Sequence, residues 1–137
     1  MPQTINPHTA LIYVMVTMSA VDSAMSDNET RKIGNIVNNL PVFQDFNSDR
    51  FLSAAEECAA ILQEDGGLDA VFGLVRDALP PHMYETAYAL AVDVAAADLA
   101  VGQEELRLLQ LLRDTLGIEK LAAAAIERGA RARHATL

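Results

Sequence analysis

The chain has 137 residues, of which 51% are apolar, and a formal net charge of −9. That length makes one ordinary domain, large enough to bury a core without a disulfide or a structural metal. The charge argues against non-specific binding to nucleic-acid phosphates and points instead to cations, or to basic surfaces on partner proteins. A single cysteine, Cys58, excludes an intrachain disulfide and fits a reducing cytoplasm.

Alanine and leucine are abundant and strand-like alternation is absent, so the reading is all-α, with seven helices. The first runs from about Pro7 to Met25, with Leu11, Met15 and Met18 on one stripe. Ser26-Asp27-Asn28-Glu29 reads as a capping box that opens the second. Ile33, Ile36, Val37 and Leu40 form the core face of this helix, and Pro41 closes it. The third spans about Asp49 to Glu64 and is stopped by Gly66-Gly67. A shorter fourth uses Leu68, Val71, Phe72, Val75 and Leu79, and Pro80-Pro81 then supplies the first positions of the fifth.

The fifth helix, to about Val101, is apolar nearly all round and is expected to be the central, buried one. Glu85, Asp93 and Asp98 within it argue against a membrane span. Nor does the stretch MPQTINPHT carry the Lys or Arg that a secretory signal needs. The sixth helix, EELRLLQLLRDTL, ends at Gly117, and the seventh covers about Ile118 to Arg133. The basic tail GARARHATL is expected to fray.

Setting Asp22 over Asp98, an offset of 76, aligns two stretches of about 9–40 and 85–116. Val16 meets Val92, Glu29 meets Glu105, Arg31 meets Arg107, and Leu40 meets Leu116. A shared helical period would align apolar residues in any two helices, but not Asp, Glu and Arg around a turn. The expectation is a compact bundle with a duplicated helix hairpin.

The acidic turns are the candidate site. Asp22 and Asp98 lie near helix C-termini, where the macrodipole disfavours a negative charge, so each needs a donor, a cation or a raised pKa. Two partners are open. Arg31 and Arg107 could pair with the carboxylates, leaving a plain helical interaction or scaffold domain. Alternatively, a divalent metal ion could sit among Asp22, Asp27, Glu29, Asp98, Glu104 and Glu105. These offer only oxygen, which suits calcium, magnesium or manganese better than zinc. Capping explains Glu29 by itself, and a first-turn position explains Glu104 and Glu105.

Enzymatic signatures are weak. The spacing from Asp22 to Glu29 is too short for an EF-hand, and His82-Met-Tyr-Glu85 is reversed and single where a di-iron bundle needs Glu-x-x-His pairs. Phosphate loops, nucleophile elbows and HExxH are missing. Asp93 and Asp98 lie about 140° apart around their helix and should not form an acid–base pair. Cys58 reads as a small core residue. A non-enzymatic protein with no organic cofactor is expected.

The segments AVDSAMSDNETRKI and AAADLAVGQEELRLLQLL resemble the hairpin of the tellurite-resistance TerB family, in which an Ala-Asp near a helix end precedes a turn and a helix opening on Glu-Glu or Asn-Glu. The resemblance extends over nearly the whole chain. It implies a cytoplasmic protein, or one peripheral at the inner membrane, linked to tellurite resistance and stress responses. It further implies metal binding through clustered carboxylates and a protein partner, including integral-membrane ones, without membrane insertion. Carried over, it favours Asp22, Glu29, Asp98 and Glu105 as metal ligands, with Asp27, Asp93 and Glu104 behind them. The family often has Gly directly after the Asp; Ser23 and Leu99 stand there in this sequence.

Overall fold

The computed structural model describes residues 4–20, 27–96 and 102–137, with the side chains of all of these except 27–30. Seven α-helices account for most of the described residues: α1 Pro7–Ala20, α2 Asp27–Asn39, α3 Phe51–Leu62, α4 Gly67–Ala78, α5 Tyr84–Ala95, α6 Gln103–Leu116 and α7 Lys120–His134. Among the described residues there is no strand, and the fold is all-α.

The helix ends follow local chemistry. The Asn47 side chain accepts the Asp49 N–H at 3.0 Å, starting a 3₁₀ turn, Ser48–Arg50, that runs into α3. Gly66 takes φ 71°, a left-handed conformation that glycine adopts without steric cost. A Cβ on the neighbouring Gly67 would fall 2.1 Å from the Ile61 carbonyl oxygen, so α3 and α4 meet where only a bare backbone fits. α6 ends with Gly117 at φ 65° and the Ile118 N–H donating to the Arg113 carbonyl at 3.1 Å, a Schellman closure. Pro81 opens a 3₁₀ turn, Pro81–Met83, rather than α5 itself, which starts at Tyr84.

The most completely buried helix is α1 rather than α5. Every residue from Ala10 to Ser19 is buried, because α1 packs against α3, α4 and α5. α5 keeps Glu85, Ala89 and Asp93 at least partly open to solvent, although it packs against α1, α2, α6 and α7. The reason lies in α1's own residues: TALIYVMVTMS offers no charged position, so the helix has no face that must reach water. Its polar groups are satisfied inside. The Ser19 hydroxyl donates to the Met15 carbonyl at 3.2 Å, and Thr17 Oγ1 lies 3.6 Å from Cys58 Sγ. His8, near the start of α1, stacks on Phe43 and sits edge-on to Phe46, which fastens the loop after α2 to the bundle.

Shifted by 76, the start of α1 and the end of α2 become 83 and 115, against 84 for the start of α5 and 116 for the end of α6. Both ends agree to within one residue. Val16 and Val92 are both buried, as are Ile33 with Leu109 and Ile36 with Leu112. Leu40 and Leu116 differ: Leu40 is exposed at the end of α2, whereas Leu116 is buried. No helix of the described residues is long and apolar enough to cross a membrane.

Candidate functional site

Of the seven candidate carboxylates, three have described side chains. Asp22 and Asp98 lie outside the described residues, and Asp27 and Glu29 belong to the first turn of α2 with side chains outside them too. Glu104 and Glu105 open α6, and their environments are opposite: Glu104 is exposed, whereas Glu105 is 5% exposed. Helical geometry separates them. Glu105 falls on the stripe of Leu108, Leu109, Leu112 and Leu116, all buried, and Glu104 falls beside it.

Glu105 is the only buried charged residue among the described side chains. Its Oε1 accepts the Gly102 N–H at 3.3 Å, an N-terminal cap that, with the positive end of the α6 dipole, offsets part of the cost of burial. Among the described residues, no group of three or more His, Cys, Asp and Glu is arranged to hold a metal; that set omits Asp22, Asp98 and the side chains of Asp27 and Glu29.

Asp93 is engaged elsewhere. Arg133 Nη2 donates to Asp93 Oδ1 at 2.7 Å, and His134 Nε2 lies 3.5 Å from the same oxygen. The pairing of an acidic residue by arginine is therefore made here by α7. Arg31 and Arg107 are both exposed and make no ion pair with a described residue. The pair also corrects the expectation for the tail: α7 stays helical to His134 because its last turn is fastened to α5.

A second polar cluster joins α5, α6 and α7. The buried Tyr88 hydroxyl donates to Glu127 Oε2 at 2.5 Å, and Arg113 Nη1 approaches the same oxygen at 3.7 Å. Burial, and then the hydrogen bond to Glu127, push the Tyr88 phenol well above its ordinary pKa. Between α1 and α3, Tyr13 is raised to about 12, by burial and then by the nearby Glu57 carboxylate. Cys58 is fully buried beside Thr17 and the Tyr13 carbonyl, and burial raises its thiol from 9.0 to about 11. A neutral, enclosed thiol is no nucleophile at physiological pH, in line with the core role read from the sequence.

The model of the family described as tellurite resistance protein TerB matches residues 8–128, from the first turn of α1 well into α7. The chain belongs to the TerB family. No match to it emerges among curated proteins or among solved structures. The TerB match spans both aligned stretches and therefore takes in all seven candidate carboxylates, from Asp22 to Glu105. It also covers α5, α6 and α7 as far as Arg128, and so includes Tyr88, Arg113 and Glu127 of the second polar cluster.

Proposed function

We propose that this TerB chain is a non-enzymatic module whose acidic turns bind a divalent cation and whose surface meets a protein partner, in the service of tellurite resistance or a wider stress response. The observation that carries the reading is the burial of Glu105 at the start of α6, seven residues after Asp98 in the sequence. A carboxylate is placed out of water only where positive charge or donors compensate it, and a cation shared with neighbouring carboxylates is one such partner. Asp22, Glu29, Asp98 and Glu105 are the proposed ligands, with Asp27 and Glu104 at the edge of the site. Asp93 is left out because Arg133 holds its Oδ1.

The all-oxygen donor set fits calcium, magnesium or manganese and supplies nothing that a zinc site prefers. A cation that orders both turns would present a different surface to a partner, which makes the module a sensor rather than a catalyst. A cytoplasmic location, or one at the inner face of a membrane beside an integral partner, belongs to this reading. The competing reading, a metal-free scaffold, draws support from the Asp93–Arg133 pair, since it satisfies one carboxylate without any ion.

Thermal unfolding of chelator-stripped protein separates the two. Calcium at a hundredfold excess over its dissociation constant should stabilise the fold by about 3 kcal/mol. The double variant Asp22→Asn, Asp98→Asn should lose that stabilisation while folding normally. Equal calcium stabilisation in parent and variant sinks the ligand assignment, and none from calcium, magnesium or manganese in the parent leaves the scaffold.

A further inference from the structure

α5, α6 and the end of α7 leave an open groove of about 720 Å³ between them. Side-chain choice creates it: Ala95, Ala96 and Ala130 face the space, and methyl groups cannot fill what larger residues would. Leu109 continues the apolar floor, while Leu106 stands on the rim, 54% exposed. The volume falls in the range of roughly 300–1,000 Å³ usual for small-molecule sites, which combine an apolar lining with a few polar groups.

Those polar groups are unequal. The Glu127 carboxylate in the wall is already answered by the Tyr88 hydroxyl and by Arg113. Arg131, which also lines the groove, is exposed and makes no ion pair with a described residue. The walls thus offer an apolar bed with an unanswered guanidinium at one side.

We propose that this groove binds a small amphipathic anion, with its apolar body on the alanine floor and a single carboxylate on Arg131. Charge decides against the other occupants. Residues 1–117 hold 6 Lys and Arg against 17 Asp and Glu, net −11, whereas residues 118–137 hold 4 against 2, net +2, which together give −9. An acidic protein surface or a polyanion is repelled by the larger part. A molecule with one charge seated at Arg131 is screened from most of it, since the Debye length is about 8 Å at physiological salt. A cationic amphiphile finds its carboxylate, Glu127, already taken. A neutral one leaves the guanidinium without an anion.

Titration with decanoate, decanol and decylamine below their aggregation limits tests this, followed by backbone amide shifts in the full chain. Decanoate should move the Val92, Leu109 and Ala130 amides saturably, and bind about tenfold tighter than decanol because a charge-assisted contact is added. Arg131→Gln should bring decanoate down to the level of decanol. Ala130→Leu should weaken both, and where that buried substitution disturbs folding, Ala96→Leu at a half-buried position serves in its place. Equal binding of decanoate and decanol, shifts centred away from the groove, or undiminished decanoate binding by Arg131→Gln each overturns the proposal.

Discussion

Three carboxylates with described side chains have three different fates, and each has a measurable consequence. Glu104 stands in water, Glu105 is buried beneath the start of α6, and Asp93 is fixed to Arg133. Asp93→Asn should cost no more than about 1 kcal/mol in urea unfolding, because Arg133 is more than half exposed and solvent screens the pair. Its clearer signature is faster amide exchange over the last turn of α7, which loses its fastening to α5. Unchanged exchange there would mean that apolar packing alone holds the turn. The leucine register of α6 separates Glu104 from Glu105, although a first-turn position explains both alike in the sequence. The Arg133 pairing was not legible in the sequence, because it joins residues 40 apart on two helices whose docking no local pattern encodes.

Cys58 and Tyr13 give the molecule an alkaline limit. Both have folded pKa values above their ordinary ones, so the unfolded chain ionises first and the folded state holds more protons in between. Their stabilising contribution is complete below the ordinary pKa and is lost as pH rises towards the folded value. For Cys58 that window runs from 9.0 to about 11, and for Tyr13 from 10.0 to about 12. Urea midpoints should therefore fall above pH 9, and Cys58→Ala should flatten the first part of the decline. A midpoint that is level from pH 9 to 11 in the parent chain would show that burial of the thiol has no such effect.

At the scale of the element, the sequence marks where helices stop more reliably than where they sit. Gly117 ends α6 as read, whereas α3 already stops at Leu62 and Gly66-Gly67 opens α4 instead, and the structure adds why each glycine is needed. Gly117→Ala forces an alanine to φ 65° and should cost about 1 kcal/mol. Gly67→Ala should cost more, since its methyl would meet the Ile61 carbonyl in a backbone that has no room to move aside. Equal unfolding midpoints for the two variants would refute that ordering. The matching starts of α1 and α5 and the matching ends of α2 and α6 are also element-scale facts.

For the whole molecule, the most enclosed helix is α1 rather than α5, and the reason is physical. α5 looked central because it is apolar nearly all round, but Asp93 and Glu85 keep one side at the surface. α1 has no such residue between Ala10 and Ser19 and is enclosed throughout that run. Met15→Ala, within it, should cost about 2–5 kcal/mol, whereas Leu52→Ala, at a position 66% exposed, should stay within about 0.5 kcal/mol. Comparable losses from the two would place the core elsewhere. By itself the sequence determined the helical class, the stops, the duplicated Asp–Glu–Arg pattern and the TerB resemblance, since composition, period and turn chemistry are local properties. Only the tertiary structure decided which apolar helix is enclosed, which arginine meets Asp93, and where small side chains leave a groove. Each of those depends on how helix faces dock, and a face that is apolar enough to be buried does not specify its neighbour.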